Sequence, residues 1–262
     1  MDSSVVLPAG AATFVVAGLF WLFSLARRDA GVADIAWGLL FVVIAWTSYL
    51  SGHGNTPMLI AALLTSVWGL RLTLHIGRRN LAEAEEDRRY TRMRRKRPGV
   101  FWIWSLPMVF LLQGALAMLV AMPLYSLGSA DQGSVGIISL LGILVFLTGL
   151  AFEAIGDAQL TAFRRDPSTS GQEMDRGLWK YTRHPNYFGD ATVWWGLWLI
   201  AVGSGAAGWT FAGPLLMSYL IVRVSGVKML EADMAERRPA YRHYMERTSA
   251  FIPRPPKKGV TS

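Results

Sequence analysis

The chain has 262 residues, 52% of them hydrophobic, and a mean hydropathy of +0.32, too apolar for an ordinary soluble surface. Its 11 Trp and 8 Tyr suit the level where hydrocarbon meets headgroup, and zero Cys excludes disulfides, thiolate metal sites, Fe–S clusters and a cysteine nucleophile. The net charge of +8 lies entirely between or beside apolar runs, so a membrane surface and an anionic small molecule fit it better than nucleic acid, for which no soluble reading domain remains.

A helix needs about 20 mostly apolar residues to cross the hydrocarbon. Seven stretches qualify: Val5 to Ala26, Gly31 to Leu50, Pro57 to Ile76, Val100 to Leu124, Val135 to Phe163, Tyr187 to Gly203 and Trp209 to Leu230. The first is too long for a cleaved signal peptide, and Arg27 and Arg28 follow it rather than precede it. The expected architecture is all-α, a polytopic membrane protein of about seven transmembrane helices.

The loops near Ser51 to Thr56, Tyr125 to Ser134 and Ser204 to Gly208 hold none of the 26 Lys and Arg. The positive-inside rule therefore places the N-terminus outside and the C-terminus in the cytoplasm. The first basic loop, RRNLAEAEEDRRYTRMRRKRPG, is compatible with a short amphipathic interfacial helix. The second, RRDPSTSGQEMDRGLWKYTRHPNYFGD, is dense in turn formers, and the tail is read as helical until Pro253 and disordered beyond. One domain is expected over residues 1–252, with 253–262 as a cytoplasmic tail.

Charges inside a membrane cost roughly 2.5–3.5 kcal/mol each, so each must be paired, wet or functional. Glu153 and Asp157 stand at i, i+4, with Arg164 two turns below on the same face; a bundle-internal ion pair is the bland alternative to a ligand contact. Asn186, Asp190 and Trp194 repeat the spacing, and Asn186 is also a candidate N-cap. On the third helix Arg71, His75 and Arg78 share a face, with snorkelling the plain account of Arg78. Asp34 lies one turn inside the second helix, where pairing with Arg27 or Arg28 is the plain account. The string GSGAAG from Gly203 to Gly208 matches the dinucleotide fingerprint GxGxxG, but no strand precedes it and no βαβ unit surrounds it. Four scattered histidines make no metal site.

GLWKYTRHPNYFGD, from Gly177 to Asp190, resembles the C-terminal signature of the steroid 5α-reductase superfamily, including its bacterial DUF1295-type members. WGLRLTLHIGRRN (Trp68 to Asn80) and EEDRRY (Glu85 to Tyr90) resemble the same branch, and the likeness spans about Asp34 to Pro253. It implies a seven-helix bundle in a bacterial inner membrane that binds NADPH from the cytoplasmic side. The implied reaction reduces a C=C bond conjugated to a ketone, in a steroid or similar lipophilic enone entering from the bilayer.

By the same resemblance the cofactor contacts are Arg71, Arg79, Asn80, Tyr90, Glu153, Asp157, Arg164, Arg176, Tyr181, Arg183, His184, Asn186, Tyr187, Asp190, Lys228 and Glu231. Arginine forks suit phosphates and carboxylates suit ribose hydroxyls or the carboxamide. Hydride arrival at the β-carbon builds charge on the ketone oxygen, where a donor must be preorganised. The animal enzymes use a Glu and a Tyr there. Asp34 and Trp68 occupy those positions here, a departure that also brings His75 and Arg71 forward as donors. Lys228 and Glu231 stand where the family has His and Tyr. Isoprenylcysteine methyltransferases share an RHPxYxG-like segment, so an S-adenosylmethionine-dependent membrane methyltransferase is the rival reading, and a noncatalytic membrane scaffold the third.

Overall fold

A computed structural model of the protein describes residues 2–82, 85–131, 133–224, 226–227, 230–231, 234 and 239–257. No strand occurs among the described residues. The α-helices of the described residues are, in chain order, α1 Ser3–Arg27, α2 Val32–Ser51, α3 Thr56–Ala82, α4 Arg88–Arg95, α5 Phe101–Val120, α6 Met122–Gly128, α7 Ile137–Arg165, α8 Pro185–Gly203, α9 Ala212–Tyr219 and α10 Pro239–Arg247. Among the described residues, five segments are long and apolar enough to cross a membrane: Ser3–Arg27, Val32–Ser51, Thr56–Leu81, Phe101–Val120 and Ile137–Arg165.

The helix ends follow from local chemistry. Asp2 caps α1 by accepting from the Ser4 amide at 2.9 Å, and Arg28 closes it in the left-handed region at φ 56°. Asn55 accepts from the Met58 amide at 2.8 Å, while its own amide donates to the carbonyls of Leu127 and Ala130. The stretch Val100 to Leu124 does not form one helix. Pro107 lacks an amide to donate, and α5 passes through a π turn at Leu106–Leu111. It stops at Val120, and α6 restarts around Pro123. The GSGAAG string is the C-terminal stop of α8: Gly205 takes φ 92°, and the Ala206 amide returns to the Ala201 carbonyl at 2.9 Å.

The chain divides into two compact units, Met1–Ser139 with Ile200–Gly213, and Leu140–Leu199 with Pro214–Ser262. In the first unit α2 is the central helix, packed along both α1 and α3. Gly38 and Gly69 let α2 and α3 touch by their backbones: a Cβ on Gly38 would lie 2.3 Å from the Gly69 carbonyl oxygen. Some polar side chains of these apolar helices bond to one another, as where the Trp46 indole donates to Ser66 Oγ at 2.9 Å and Ser66 donates to the Ala62 carbonyl, while the buried hydroxyls of Ser48, Thr65 and Thr73 have no hydrogen-bond partner among the described residues. The second unit is built on α7 and α8, and its loop from Pro167 to Lys180 includes two short 3-10 turns.

Candidate functional site

In the second unit, glycines recur every seven residues on both long helices: Gly142, Gly149 and Gly156 on α7, and Gly189 and Gly196 on α8. A Cβ on Gly189 would stand 2.4 Å from the Glu153 amide nitrogen, and one on Gly196 would stand 2.5 Å from that of Phe146. Backbones this close exclude any side chain from the seam. The repeat of seven is a signal for the seam that lies in the sequence itself. The seam is what brings the polar turns of the two helices together.

Asn186 on α8 donates its amide to Asp157 on α7 at 3.1 Å. Glu153 and Asp157 are only 2% and 7% exposed, and Trp194 is fully buried. The carbonyl oxygen of Asn186 is buried without a hydrogen-bond partner among the described residues. A buried acceptor left so costs about 1–3 kcal/mol, which a ligand donor would recover. The N-cap reading of Asn186 is overturned. Pro185 takes the first helical position, which its fixed φ and missing amide suit, and Asn186 follows inside the turn with its side chain turned to Asp157.

The segment before α8 is strapped down from several sides. Gly177 adopts φ 57°, and the next amide, Leu178, donates to Gln159 Oε1 at 3.0 Å. The Trp179 indole donates to the Gly156 carbonyl at 3.0 Å, and the buried Tyr244 hydroxyl donates to the Trp179 carbonyl. Thr182 Oγ1 donates to the Phe251 carbonyl at 2.8 Å. The tail continues past Pro253 in contact, with the Arg254 amide on the Tyr181 carbonyl and the Lys257 amide on the Arg247 carbonyl.

Arg183 and His184 converge on Glu231. Arg183 Nε donates to Glu231 Oε1 at 2.7 Å, its Nη1 donates to the carbonyls of Met245 and Thr248, and His184 Nε2 lies 3.2 Å from the same carboxylate oxygen. Burial opposes ionisation of Glu231, yet the bonds from His184 and Arg183 outweigh it and hold its carboxyl below the usual range. Three residues assigned to the cofactor by resemblance thus form an internal buried cluster, on which Tyr187 stacks, its ring 5.5 Å from that of His184. Arg164, Arg176 and Tyr181 are exposed at the rim of the unit, Arg176 bonded to Gln172 at 3.2 Å. Lys228 lies outside the described residues.

In the first unit the pairing of Asp34 with Arg27 or Arg28 is replaced by another. The predicted amphipathic loop helix exists as α4, and it docks on the start of α2: Arg89 forms an ion pair with Asp34, and the Tyr90 hydroxyl donates to Asp34 at 2.8 Å. Glu86 accepts from the Ala30 amide at 2.8 Å and from Arg94, and Asn80 on α3 donates to the Gly31 carbonyl at 3.1 Å. Burial works against the Arg89 charge, but Asp34 and Asp87 prevail and hold it more firmly protonated than usual. Burial and the Asp34 charge push the Tyr90 phenol well above its usual range. The structure therefore joins Asp34 and Tyr90, which the resemblance had given separate roles. It does not bring Asp34 beside Trp68. The Trp68 ring faces Phe41 at 5.7 Å, and Phe41 is seven residues beyond Asp34, roughly 10 Å along α2. Arg71 and His75 lie half-buried on α3, and Arg79 is exposed, its Nε on Asn80 Oδ1 at 3.3 Å.

The profile of DUF1295, a family described as a protein of unknown function, matches residues 20–248 of the chain. The chain belongs to the DUF1295 family. The match includes every residue of both clusters, from Asp34 to Glu231. The DUF1295 chain is also similar to an uncharacterized protein of Schizosaccharomyces pombe, 23% identical over 271 residues that cover 92% of this chain and 78% of the relative. No solved structure matches it.

Proposed function

We propose that this DUF1295 member is an NADPH-dependent reductase of a lipophilic enone, the 3-oxo-Δ4-steroid class being the leading candidate, working in a bacterial inner membrane. The observation that carries the reading is the buried Asn186 carbonyl oxygen beside Asp157, an acceptor with no described partner at the seam of two apolar helices. A nicotinamide carboxamide or a ribose hydroxyl offers the donor it lacks. Asp157 and Asp190 add acceptor capacity, and the exposed Arg164 and Arg176 are suited to phosphate oxygens. The residues present fit the cofactor.

When bound, NADPH supplies the hydride that reaches the β-carbon of the enone. The chain's part is to hold the ring away from water, which the glycine seam and buried Trp194 favour, and to place a donor at the ketone oxygen. Asp34 accepts from both Arg89 and Tyr90, so in this arrangement its carboxylate is engaged by α4. His75 and Arg71 remain as donors.

The proposed topology has seven spans with the N-terminus outside. Besides the five helices long and apolar enough, α8 has 19 residues, roughly 28 Å, and the segment from Ala212 through the π turn ending at Val224 supplies the last. Purified protein given NADPH and a 4-ene-3-ketosteroid should oxidise the cofactor in proportion to enone consumed. Turnover with S-adenosylmethionine and a prenylated acceptor instead would make it a methyltransferase.

A further inference from the structure

In the first unit, the end of α1 and the arm leading into α5 meet. The Trp21 indole donates to the Trp102 carbonyl at 2.9 Å, and Arg94 Nη2 donates to the Arg28 carbonyl at 3.3 Å. Arg27 and Arg28 end α1, and Arg92, Arg95, Lys96 and Arg97 precede α5; all six are exposed. Four of the acidic side chains described nearby are committed elsewhere, and Glu85 is exposed. Asp34 and Asp87 hold Arg89, Glu86 holds Arg94, and Asp29 caps the Gly31 amide at 2.7 Å.

Directly beyond these cations both helices turn apolar and outward: Leu22 and Phe23 are 54% and 43% exposed, and Trp102 and Ile103 are each 53% exposed. Arg97, one of these cations, lies over the Trp104 ring at 5.0 Å at that border, beside the Glu86-paired Arg94 over the Phe101 ring at 4.5 Å. Two membrane-length helices thus show the same order, exposed hydrocarbon and then cations that form no ion pair among the described residues, at one tied junction. Acyl chains match the first layer and phosphodiesters match the second.

We infer that this junction is a binding site for anionic phospholipid, with the headgroup phosphate held among Arg27, Arg28, Arg92, Arg95, Lys96 and Arg97 and the acyl chains against Leu22, Phe23, Trp102 and Ile103. None of the six cations belongs to the proposed cofactor site, so the inference does not rest on the reductase reading.

The test reconstitutes the full chain in nanodiscs of equal phosphatidylglycerol and phosphatidylcholine and measures retained lipid by native mass spectrometry. The wild type should hold phosphatidylglycerol at about threefold or more over the bulk ratio, and the variant R92Q/R95Q/K96Q/R97Q should return to the bulk ratio. A charge-keeping variant, R92K/R95K/R97K, should keep the enrichment and shows that charge rather than folding is read. For the wild type alone, enrichment should fall as salt rises. A wild type with no enrichment, or enrichment unchanged in the glutamine variant, overturns the site. Loss of enrichment on adding millimolar inorganic phosphate or NADPH also overturns it, since the cations would then serve a soluble phosphate.

Discussion

Asn186 and Asp157 stand 29 positions apart in sequence, yet the amide of one donates to the carboxylate of the other at 3.1 Å across the α7–α8 seam. Both functional readings of the chain turn on this pair. A scaffold needs only the bond, whereas a reductase needs the carbonyl oxygen left beside it.

Replacing Asn186 by Ala should therefore weaken NADPH binding by one charge-assisted or buried bond, about 10- to 100-fold in Kd. Detergent-purified yield should stay unchanged, because the substitution also removes the unpartnered oxygen. Cofactor titration by intrinsic Trp fluorescence checks it. A collapse of folded yield with residual protein binding NADPH normally would favour the scaffold.

Gly189→Val should destabilise the second unit by forcing α7 and α8 apart at Glu153. The new Cβ would meet the Glu153 amide at 2.4 Å and the Gly149 carbonyl oxygen at 2.5 Å, both backbone atoms that cannot rotate away. A loss of at least about 3 kcal/mol is expected, read as a lower melting temperature in detergent. The same change at Gly18, where nothing lies within 4 Å, should cost little.

Much of this was legible in the sequence, for physical reasons that differ between residues. Glu153, Asp157 and Asp190 stand out because a charge in an apolar run is expensive, and helical spacing puts Asn186 on one face with Asp190 as it does Glu153 with Asp157. Apolar length marked the membrane helices in the same way. The partner of Asp34 was not legible. Arg89 reaches it from 55 positions away, and only the docking of α4 selects it over the nearer Arg27 and Arg28. Arg183 and His184 match a family motif, but their bonds to Glu231 depend on tertiary geometry that no local pattern encodes. Asn186 missed the cap position because Pro185 claimed the first turn. The period-seven glycines of α7 and α8 mark the seam in the sequence itself.

Arg183→Lys should be strongly destabilising despite keeping the charge. The guanidinium serves Glu231 and two carbonyls at once, a fork an ammonium does not reproduce, and breaking one side of a buried pair costs roughly 3–5 kcal/mol. Glu231→Gln tests the same cluster through pH. The Glu231 carboxyl is held below its ordinary 4.5, so its contribution is fully present above that value and is lost as pH falls through the lowered one. Melting temperature should therefore drop less steeply below pH 4.5 in the variant than in the wild type.

Tyr90 gives the opposite limb. Its phenol ionises well above the ordinary 10.0 when folded, so its stabilisation is complete below pH 10.0 and fades as pH rises beyond it. Tyr90→Phe removes that alkaline loss along with the bond to Asp34. The variant should be less stable at neutral pH by about 0.5–1.5 kcal/mol and should close the gap above pH 10.0, as followed by urea unfolding in detergent.

The most direct test of the central claim is the melting temperature of the purified protein with NADPH, NADH and S-adenosylmethionine in parallel, since a ligand that binds only the folded state must raise it. The account predicts a rise with NADPH that exceeds the one with NADH and vanishes in Asn186→Ala. A rise with S-adenosylmethionine alone, or none with any of the three, would contradict it.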